Sequence, residues 1–461
     1  MKAENRNKEG CPCADRLETE KHTEARSDTT LQNPDKSGAG TLLAKILERD
    51  NLNHAYKRVK ANKGAPGIDG MSVEEALPYL KTHGKELITR ITQETYKPQP
   101  VKRVEIPKPD GGIRQLGIPT VIDRVIQMAI AQVLEPIFEP EFSESSFGFR
   151  PGRNAHQAIG KAKEYYDEGN KYVVDIDLEK YFDTVNHDLL IRMIREKVRD
   201  KTVIALIRKY LKSGVMINGV KSATTEGTPQ GGPLSPLLSN IYLTKFDRML
   251  EERGHKFVRY ADDCNIYVQS QRAAERVLAS CTRYLEEKLK LRVNRNKSCA
   301  GKPTELKFLG FALYENESQS GIRVHVKSLK RFKARLKQIT KRSQSATLEV
   351  ILSRIRRNAQ GWLAYYRIAD MRWAISNITK WLRRRIRMYL WLQWKRPSAK
   401  YTNLRKLGAT ERQAREWSNT RKGSWRIAKS WVLTTTLTNK YLASLGFYDI
   451  SEAYARLHTS C

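Results

Sequence analysis

The chain has 461 residues, of which 84 are lysine or arginine and 50 are aspartate or glutamate, giving a formal net charge of +34. A surplus of this size repels itself unless it meets a polyanion, which favours nucleic acid over an anionic membrane as the partner. No run of about 18 apolar residues exists, which excludes a membrane-spanning helix. The polar N-terminus indicates no signal peptide, and six scattered cysteines favour a reducing, cytoplasmic setting without disulfides.

The first part of the chain is predicted to be a tail followed by helices and a hairpin. Residues 1–40 are polar and poor in aromatic residues, so they are predicted to be disordered. Regular structure is predicted to begin with Thr41 as a helix N-cap. Val101–Ile106 alternates like a strand, Asp110–Gly112 is a typical hairpin turn, and Ile113–Pro119 is the predicted returning strand.

The middle and the end of the chain are predicted to be mainly helical. Asp123–Leu134 is amphipathic and is predicted to end at Pro136. One helix is predicted from residue 188 to about residue 201, and another over Arg405–Ser418. Leu291–Asn294 is predicted to be a short strand.

Two β-prone segments end in carboxylates. Tyr172–Leu178 places three apolar positions before Asp175 and Asp177, and residues 260–263 (Tyr-Ala-Asp-Asp) form a predicted tight turn between two β-prone runs. Paired aspartates at a turn are explained by turn chemistry alone, but two acidic strands together favour a metal site. Burying unpaired carboxylates costs free energy that a divalent cation offsets. Two Mg²⁺ ions about 3.5–4 Å apart activate a 3′-hydroxyl and stabilise pyrophosphate. The pattern therefore predicts nucleotidyl transfer.

The order of these motifs resembles that of a reverse transcriptase. Asp177 is followed five positions later by Phe182, then by Gln230 within residues 228–236 (Thr-Pro-Gln-Gly-Gly-Pro-Leu-Ser-Pro), and then by residues 260–263. Within that superfamily the chain resembles the reverse transcriptase/maturase proteins encoded by bacterial group II introns. The resemblance covers the chain from about residue 42 to near the C-terminus.

The resemblance implies an α+β fold with right-hand polymerase architecture. Fingers and a palm with an antiparallel sheet are expected at 41–320, an α-helical thumb (domain X) at 321–404, and a DNA-binding region at 405–461. Many relatives end in a zinc-supported endonuclease domain, but this sequence has no cysteine pairs near its C-terminus. We therefore expect that domain to be absent.

The resemblance also assigns roles to individual residues. Asp177, Asp262 and Asp263 are the expected catalytic ligands of two Mg²⁺ ions, whereas Asp175 and Asp183 are interpreted as structural. The residues expected to bind the incoming dNTP are Lys108 and Arg114 at the fingers hairpin, Phe182 as a steric gate against a 2′-hydroxyl, Gln230, and Lys297 near the leaving pyrophosphate. The plainer interpretations are that Lys108 and Arg114 are solvated charges at a hairpin tip, that Phe182 is a core aromatic residue, and that Lys297 is a surface lysine.

Basic residues near aromatic residues are predicted to contact nucleic acid. Arg150 and Arg153 suit a template backbone, although capping of the next helix explains them equally well. The predicted contacts of the thumb and the C-terminal region are Arg354, Arg383, Arg384, Arg385, Arg421 and Lys422. The alternative for the thumb is that these charges only solvate the helices.

The predicted function is RNA-directed DNA synthesis by a group II intron protein that also acts as a maturase. Its expected partners are the intron RNA, an RNA template with a DNA primer, dNTPs and a DNA target, so that it promotes splicing and retrohoming. The first alternative is a splicing-only RNA-binding maturase, against which the intact acids at 262 and 263 argue. The second is another bacterial, retron-type reverse transcriptase, against which the long basic thumb argues.

Overall fold

A computed structural model describes residues 41–107, 112–217, 220–222, 226–317 and 319–459. The predicted tail at 1–40, Lys108 and most of the predicted turn at Asp110–Gly112 lie outside the described residues. The chain from Thr41 onward forms one compact unit. In the described part, no helix combines the length and the apolar character needed to cross a membrane.

The N-terminal part consists of helices beside a hairpin. The Oγ1 of Thr41 accepts a hydrogen bond from the backbone N–H of Ala44, which confirms the predicted helix start. The two strands of the hairpin pair antiparallel, with Lys102 opposite Ile118 and Pro107 opposite Ile113. The elements are α1 (Leu42–Leu47), α2 (Arg49–Ala61), α3 (Val73–Thr92), β1 (Val101–Pro107), β2 (Ile113–Ile118) and α4 (Val121–Phe138).

The helix α4 does not end at Pro136, as the sequence predicted, but continues to Phe138. Proline removes one backbone hydrogen bond, and here the loss falls in the last turn of the helix. Leu134 and Phe138 on either side are buried in the core. Their packing holds the last turn in place despite the proline.

The palm follows as a sheet packed between helices. After a 3-10 turn at Glu139–Glu141, its elements are α5 (Ala155–Asp167), β3 (Tyr172–Ile176), α6 (Tyr181–Thr184), α7 (His187–Arg195), α8 (Lys201–Leu211), β4 (Val215–Ile217), β5 (Val220–Ser222), α9 (Ser235–Glu252), β6 (Lys256–Tyr260), β7 (Asp263–Val268), α10 (Gln271–Glu287), β8 (Cys299–Gly301), β9 (Phe311–Glu315) and β10 (Ser320–Val324). The order of the main sheet is β6-β7-β3-β8, and all of its pairs are antiparallel. This confirms the predicted palm sheet.

Two predictions in the palm were wrong in detail. The helix predicted over 188–201 ends early, at Arg195, and Asp200 caps the next helix α8 by accepting from the N–H groups of Thr202 and Val203. The strand predicted at Leu291–Asn294 is reduced to a single bridge between Val293 and Leu178. Both segments instead connect neighbouring elements.

The palm sheet separates two apolar cores. Val174, Ile176 and Ile266 face the core shared with α4 and α9, whereas Val173 and Tyr267 face the core shared with the thumb. Because side chains alternate along a strand, Asp175 and Asp177 must point to the thumb side together with Val173. The alternation therefore places the acidic positions on the open, thumb-facing side of the sheet.

The C-terminal part is helical, as predicted. Three long helices form the thumb, and short helices follow; the elements are α11 (Val326–Ile339), α12 (Leu348–Tyr366), α13 (Arg372–Gln393), α14 (Pro397–Lys406), α15 (Glu411–Ser418), α16 (Ser424–Ile427), α17 (Trp431–Thr436), α18 (Asn439–Ser444) and α19 (Ile450–Thr459). The single helix predicted over Arg405–Ser418 is interrupted at Gly408, whose φ of +87° is the left-handed conformation that glycine favours after a helix.

Candidate active site

The candidate catalytic carboxylates lie at the same end of neighbouring strands. Asp177 directly follows β3, whose last residue Ile176 pairs with Cys264 of β7. Asp262 lies in the turn between β6 and β7, and Asp263 pairs with Tyr260. The sheet register therefore brings the two acidic motifs together, as the sequence predicted.

Burial and neighbouring carboxylates raise the pKa values of Asp175 and Asp263. Desolvation together with the Asp263 and Asp177 carboxylates raises the pKa of Asp175 to about 7. Desolvation together with Asp262 and Asp177 raises the pKa of Asp263 to about 6, while Lys307 opposes both shifts. The site is thus a cluster of like charges that neighbouring cations compensate only in part.

Asp262 has the same type of environment with different opposing charges. Desolvation raises its pKa above the usual range, and the Asp177 carboxylate adds to the shift. Arg114 of β2 and Arg259 of β6 oppose it. Arg114 therefore reaches the catalytic end of the palm electrostatically, which is where a triphosphate-binding residue has to lie.

The loop after α10 fixes the backbone of Asp177. The Asp177 N–H donates to Oγ of Ser298 at 3.0 Å, and its carbonyl accepts from the Asn294 N–H at 2.9 Å. The same loop carries Lys297, which partly opposes the rise in the pKa of Asp263. This loop thus holds one acid in place and brings a cation to another.

A buried arginine that the sequence analysis did not identify supports the Tyr-Ala-Asp-Asp turn. Arg259 is 1% exposed and forms an ion pair with Asp247 of α9, which is fully buried. One of its Nη1 hydrogen bonds goes to the Ala261 carbonyl at 2.9 Å and another to Oδ1 of Asn240 at 3.1 Å. Ala261 has a φ of +59°, which is unfavourable for a residue with a Cβ. The arginine therefore stabilises the strained residue that precedes Asp262.

Two sequence signals point to this support. Arg259 follows Phe257 and Val258 in an apolar strand, and Asp247 lies among apolar residues of α9. A charge in such surroundings is almost never buried without a partner. The identity of the partner, however, depends on how α9 packs on β6.

The loop before α5 packs directly against the catalytic turn. The Phe147 N–H donates to the Arg259 carbonyl at 2.9 Å, and Asn240 donates its Nδ2 to the Gly148 carbonyl at 2.9 Å. A Cβ at Gly148 would overlap with the backbone nitrogen of Ala261. Only glycine allows this close approach.

The predicted nucleotide-binding residues connect the fingers to the palm. Arg114 donates its Nε to Oε1 of Gln230 at 3.3 Å, and the Gln230 carbonyl accepts from the Gly117 N–H at 2.8 Å. Phe182 is half-buried, packs edge-on against Tyr181, and its carbonyl accepts from the Thr228 N–H at 2.6 Å. These bonds bring the three predicted motifs to one cleft.

The carboxylates fit Mg²⁺ as a group completed by substrate. Over the described ranges, no three acidic, histidine or cysteine side chains converge closely enough to hold an ion unaided. Mg²⁺ sites in polymerases use one or two carboxylates together with substrate phosphates and water. Oxygen ligands with excess negative charge at Asp177, Asp262 and Asp263 match that donor set.

Arg150 is buried and bonded within the protein, which argues against its predicted contact with the template backbone. The side chain is buried, donates Nε to Glu139 at 2.8 Å, and donates Nη1 to the carbonyls of Ser143 and Ser146. Its hydrogen bonds fold the segment that precedes it, whereas the next helix α5 is capped by Asn154 and not by Arg150. Arg153 pairs with the exposed Glu144, so its contact with template stays a prediction.

Three arginines of α13, which the sequence predicted to contact nucleic acid, are bonded to protein groups, and their contact with nucleic acid stays a prediction. Arg383 pairs with Asp449, Arg384 donates to the Trp425 carbonyl and stacks on its ring at 3.9 Å, and Arg385 donates to the Thr340 carbonyl at 2.7 Å. Each therefore bonds a different neighbouring segment. Their common role is to hold α13 against α11 and the C-terminal helices.

A different basic surface of the thumb is open to solvent. Between α11 and α12 lies a groove of about 800 Å³ that contains the predicted contact Arg354. Phe332 and Trp362 stack at 4.2 Å along it. The exposed cations of this thumb groove are Arg331, Arg335, Arg354 and Arg357. Arg421 and Lys422 are also exposed, on the loop before α16.

Family models match both halves of the described chain. A model described as reverse transcriptase (RNA-dependent DNA polymerase) matches residues 106–313. A model described as group II intron, maturase-specific domain matches residues 329–408. Protein YkfC of Escherichia coli is 34% identical over 64% of this chain and 88% of its own length.

The chain belongs to the group II intron-type reverse transcriptase/maturase family. The group II intron-encoded protein LtrA of Lactococcus lactis is 39% identical over 48% of this chain, and the match spans 37% of LtrA. A putative COX1/OXI3 intron 2 protein of Saccharomyces cerevisiae is 34% identical over 51% of this chain and 28% of its own length. The chain thus matches most of one relative and only about a third of the others.

Proposed function

We propose that this reverse transcriptase/maturase extends a DNA primer on an RNA template with Asp177, Asp262 and Asp263 as ligands of two Mg²⁺ ions. The observation that carries the proposal is the register of the palm sheet, which brings the end of β3 with Asp177 beside the turn that carries Asp262 and Asp263. When bound, the ions supply activation of the 3′-hydroxyl and stabilisation of the leaving pyrophosphate. The chain's own residues provide the positioning.

Each nucleotide-binding residue has a separate task. Arg114 binds phosphate oxygens of the incoming dNTP, and Lys108 is proposed to do the same from the hairpin tip outside the described residues. Lys297 neutralises charge on the pyrophosphate side, where it already acts on Asp263. Phe182 excludes a 2′-hydroxyl, and Gln230 contacts the nucleotide and template. The bond from Arg114 to Gln230 supports a closed arrangement of fingers and palm.

The thumb and the C-terminal region bind the polyanions. The thumb groove contacts phosphates of the primer–template, with Arg354 among its cations, and Arg153 contacts the template. Arg421 and Lys422 contact a DNA target. The match to the maturase-specific domain and the charge of +34 support binding of a group II intron RNA, with promotion of splicing and retrohoming.

We also propose that residues 405–459 do not form a zinc-supported endonuclease. This segment contains no cysteine and a single histidine, His458, and its short helices pack on the thumb core. Residues 405–459 are therefore expected to contribute no zinc-dependent nicking of the bottom strand of target DNA. Site-specific nicking in a reaction free of other nucleases would contradict this proposal.

Primer extension on an RNA template tests the polymerase assignment. Asp262→Asn keeps the size of the side chain and removes its charge, so extension should fall at least about 10³-fold, as for loss of a group that stabilises charge in the transition state. RNA binding should stay near wild type, because it rests on the basic thumb. The matched control is Asp188→Asn on the exposed surface of α7, which should extend normally. Extension by the Asp262 variant at a rate near that of wild type would refute the assignment, and inactive wild type with intact splicing would favour a splicing-only maturase.

A further inference from the structure

Phe149 is an exposed aromatic residue in a strained backbone conformation. Its φ is +60°, and 47% of the residue is accessible to solvent. A bulky residue at positive φ is an outlier, because its Cβ crowds the following carbonyl. Among the seven described non-glycine residues with positive φ, Phe149 is the one with an aromatic side chain. Neither burial nor turn chemistry accounts for this residue.

The segments on both sides of Phe149 hold it in this conformation. The Gly148 carbonyl accepts from Asn240, and Gly148 touches the backbone of Ala261. On the other side, Arg150 is buried and donates to Glu139, Ser143 and Ser146. Strain persists only where the surroundings impose it, and such sites concentrate where a side chain has a task.

Phe149 directly follows the residue that touches the catalytic turn, and its exposed ring has no aromatic partner among the described residues. Within the described residues it stacks on no other aromatic ring and on no cation, whereas neighbouring Phe147 is buried under Arg153. Its neighbour Gly148 is in van der Waals contact with the turn that carries Asp262. An exposed flat apolar surface at this position offers a stacking platform to a base in the cleft.

We propose that Phe149 stacks on a nucleobase at the end of the primer–template in the catalytic cleft. The inference rests on the proposed polymerase function and names a residue that determines how the substrate is positioned. The base belongs to the template, to the primer terminus or to the incoming dNTP, and all three present the same π-face. Phe149 is a positioning residue and takes no part in the chemical step.

Phe149→Gly separates stacking from folding. Glycine adopts positive φ without strain, so the melting temperature should be equal to or higher than that of wild type. Extension from a saturating RNA–DNA primer–template should nevertheless fall about 10-fold or more, as expected for loss of one base–aromatic contact. If Phe149 were only structural, Phe149→Gly would lower the melting temperature, and extension would fall only as a result of that lost stability.

Two conservative variants complete the experiment. Phe149→Tyr keeps the ring and should retain extension, whereas Phe149→Leu keeps apolar bulk without a ring and should lose about as much as glycine. Wild-type kcat/KM in both the glycine and the leucine variants would overturn the proposal. Wild type serves as the reference, so a wild-type protein that extends no primer would contradict the proposed function and not the role of Phe149.

The source of the base is found with modified substrates. An abasic site at the templating position should remove the difference between wild type and Phe149→Gly if the partner is the templating base. A higher KM for dNTP with unchanged primer–template affinity identifies the incoming base, and the reverse identifies the primer terminus. Each outcome supports the proposal and assigns the partner; an equal loss on every substrate at reduced melting temperature contradicts it.

Discussion

Arginine has opposite uses in the palm and in the thumb groove. In the palm, Arg259 and Arg150 are buried and bond to carboxylates and carbonyls that shape the catalytic turn and its neighbouring loop. In the thumb groove, Arg354 and Arg357 are exposed beside a stacked aromatic pair. The arginines of α13 lie between these extremes, because they bond to protein groups at the edge of the core. Burial and partners, rather than the number of charges, distinguish support from nucleic-acid contact.

The largest loss of stability and activity is expected when Arg259, which supports the catalytic turn of the palm, is replaced. Arg259→Met leaves Asp247 buried without a partner, which should cost about 3–5 kcal/mol of unfolding free energy and abolish extension. The double variant Arg259→Met/Asp247→Leu removes both charges and should recover much of the stability in urea titrations. Extension should not recover, because the Ala261 carbonyl still lacks its donor. Recovered extension in the double variant would mean that the arginine acts only on folding.

The steric gate is expected to have the next largest effect. Phe182→Ala should lower the preference for dNTPs over rNTPs by about 10–100-fold, since a cavity opens where the 2′-hydroxyl would lie. Single-nucleotide incorporation with each substrate measures the preference. The neighbouring Tyr181→Phe change is the control, because that side chain is buried behind the site. Unchanged discrimination would place the gate at another residue.

The thumb groove is expected to change the salt dependence of binding. Each lost phosphate contact should reduce the slope of log K against log salt by about 0.7–0.9, so Arg354→Gln/Arg357→Gln should reduce it by about 1.4–1.8. The matched variant Arg383→Gln/Arg384→Gln should change the slope little, because both side chains bond to protein groups. Filter binding at several salt concentrations measures both. Equal slopes for the two double variants would contradict the assignment of the thumb groove, and not the arginines of α13, as the phosphate-binding surface.

The smallest loss of stability is expected when the ion pair between α13 and the C-terminal helices is broken. Arg383 forms an ion pair with Asp449, and the two side chains are 22% and 19% exposed. Arg383→Met should therefore lower the unfolding free energy by about 1 kcal/mol or less. Thermal or urea unfolding measures the change, with Arg456→Met on the exposed surface of α19 as the comparison. A loss as large as that of Arg259→Met would show that the pair belongs to the core.

The sequence predicted the elements and motifs that depend on local pattern. The acidic strands, the fingers hairpin and the three thumb helices were confirmed, because alternation and helical periodicity determine them. The roles of arginines could not be predicted, since a basic side chain near aromatics looks the same whether it faces phosphate or a carbonyl. Arg150 and Arg385 are examples, for their partners come from segments whose position only packing defines. The support by Arg259 was missed for the same reason.

The continuation of α4 through Pro136 shows the same limit in the backbone. Local chemistry ends a helix at proline, but buried side chains on both sides of it outweigh one lost hydrogen bond. The strain at Phe149 and Ala261 is likewise invisible in the sequence. Both conformations are imposed by contacts between the loop before α5 and the catalytic turn.

The most direct test of the account is whether Asp177 and Asp262 act as one unit. Single-turnover extension should be compared for Asp177→Asn, Asp262→Asn and the double variant, at equal occupancy of primer–template. Residues that act together show strongly non-additive losses, so the double variant should be about as slow as either single variant. Losses that multiply in the double variant, or extension retained by either single variant, would contradict a shared catalytic site at the end of the palm sheet.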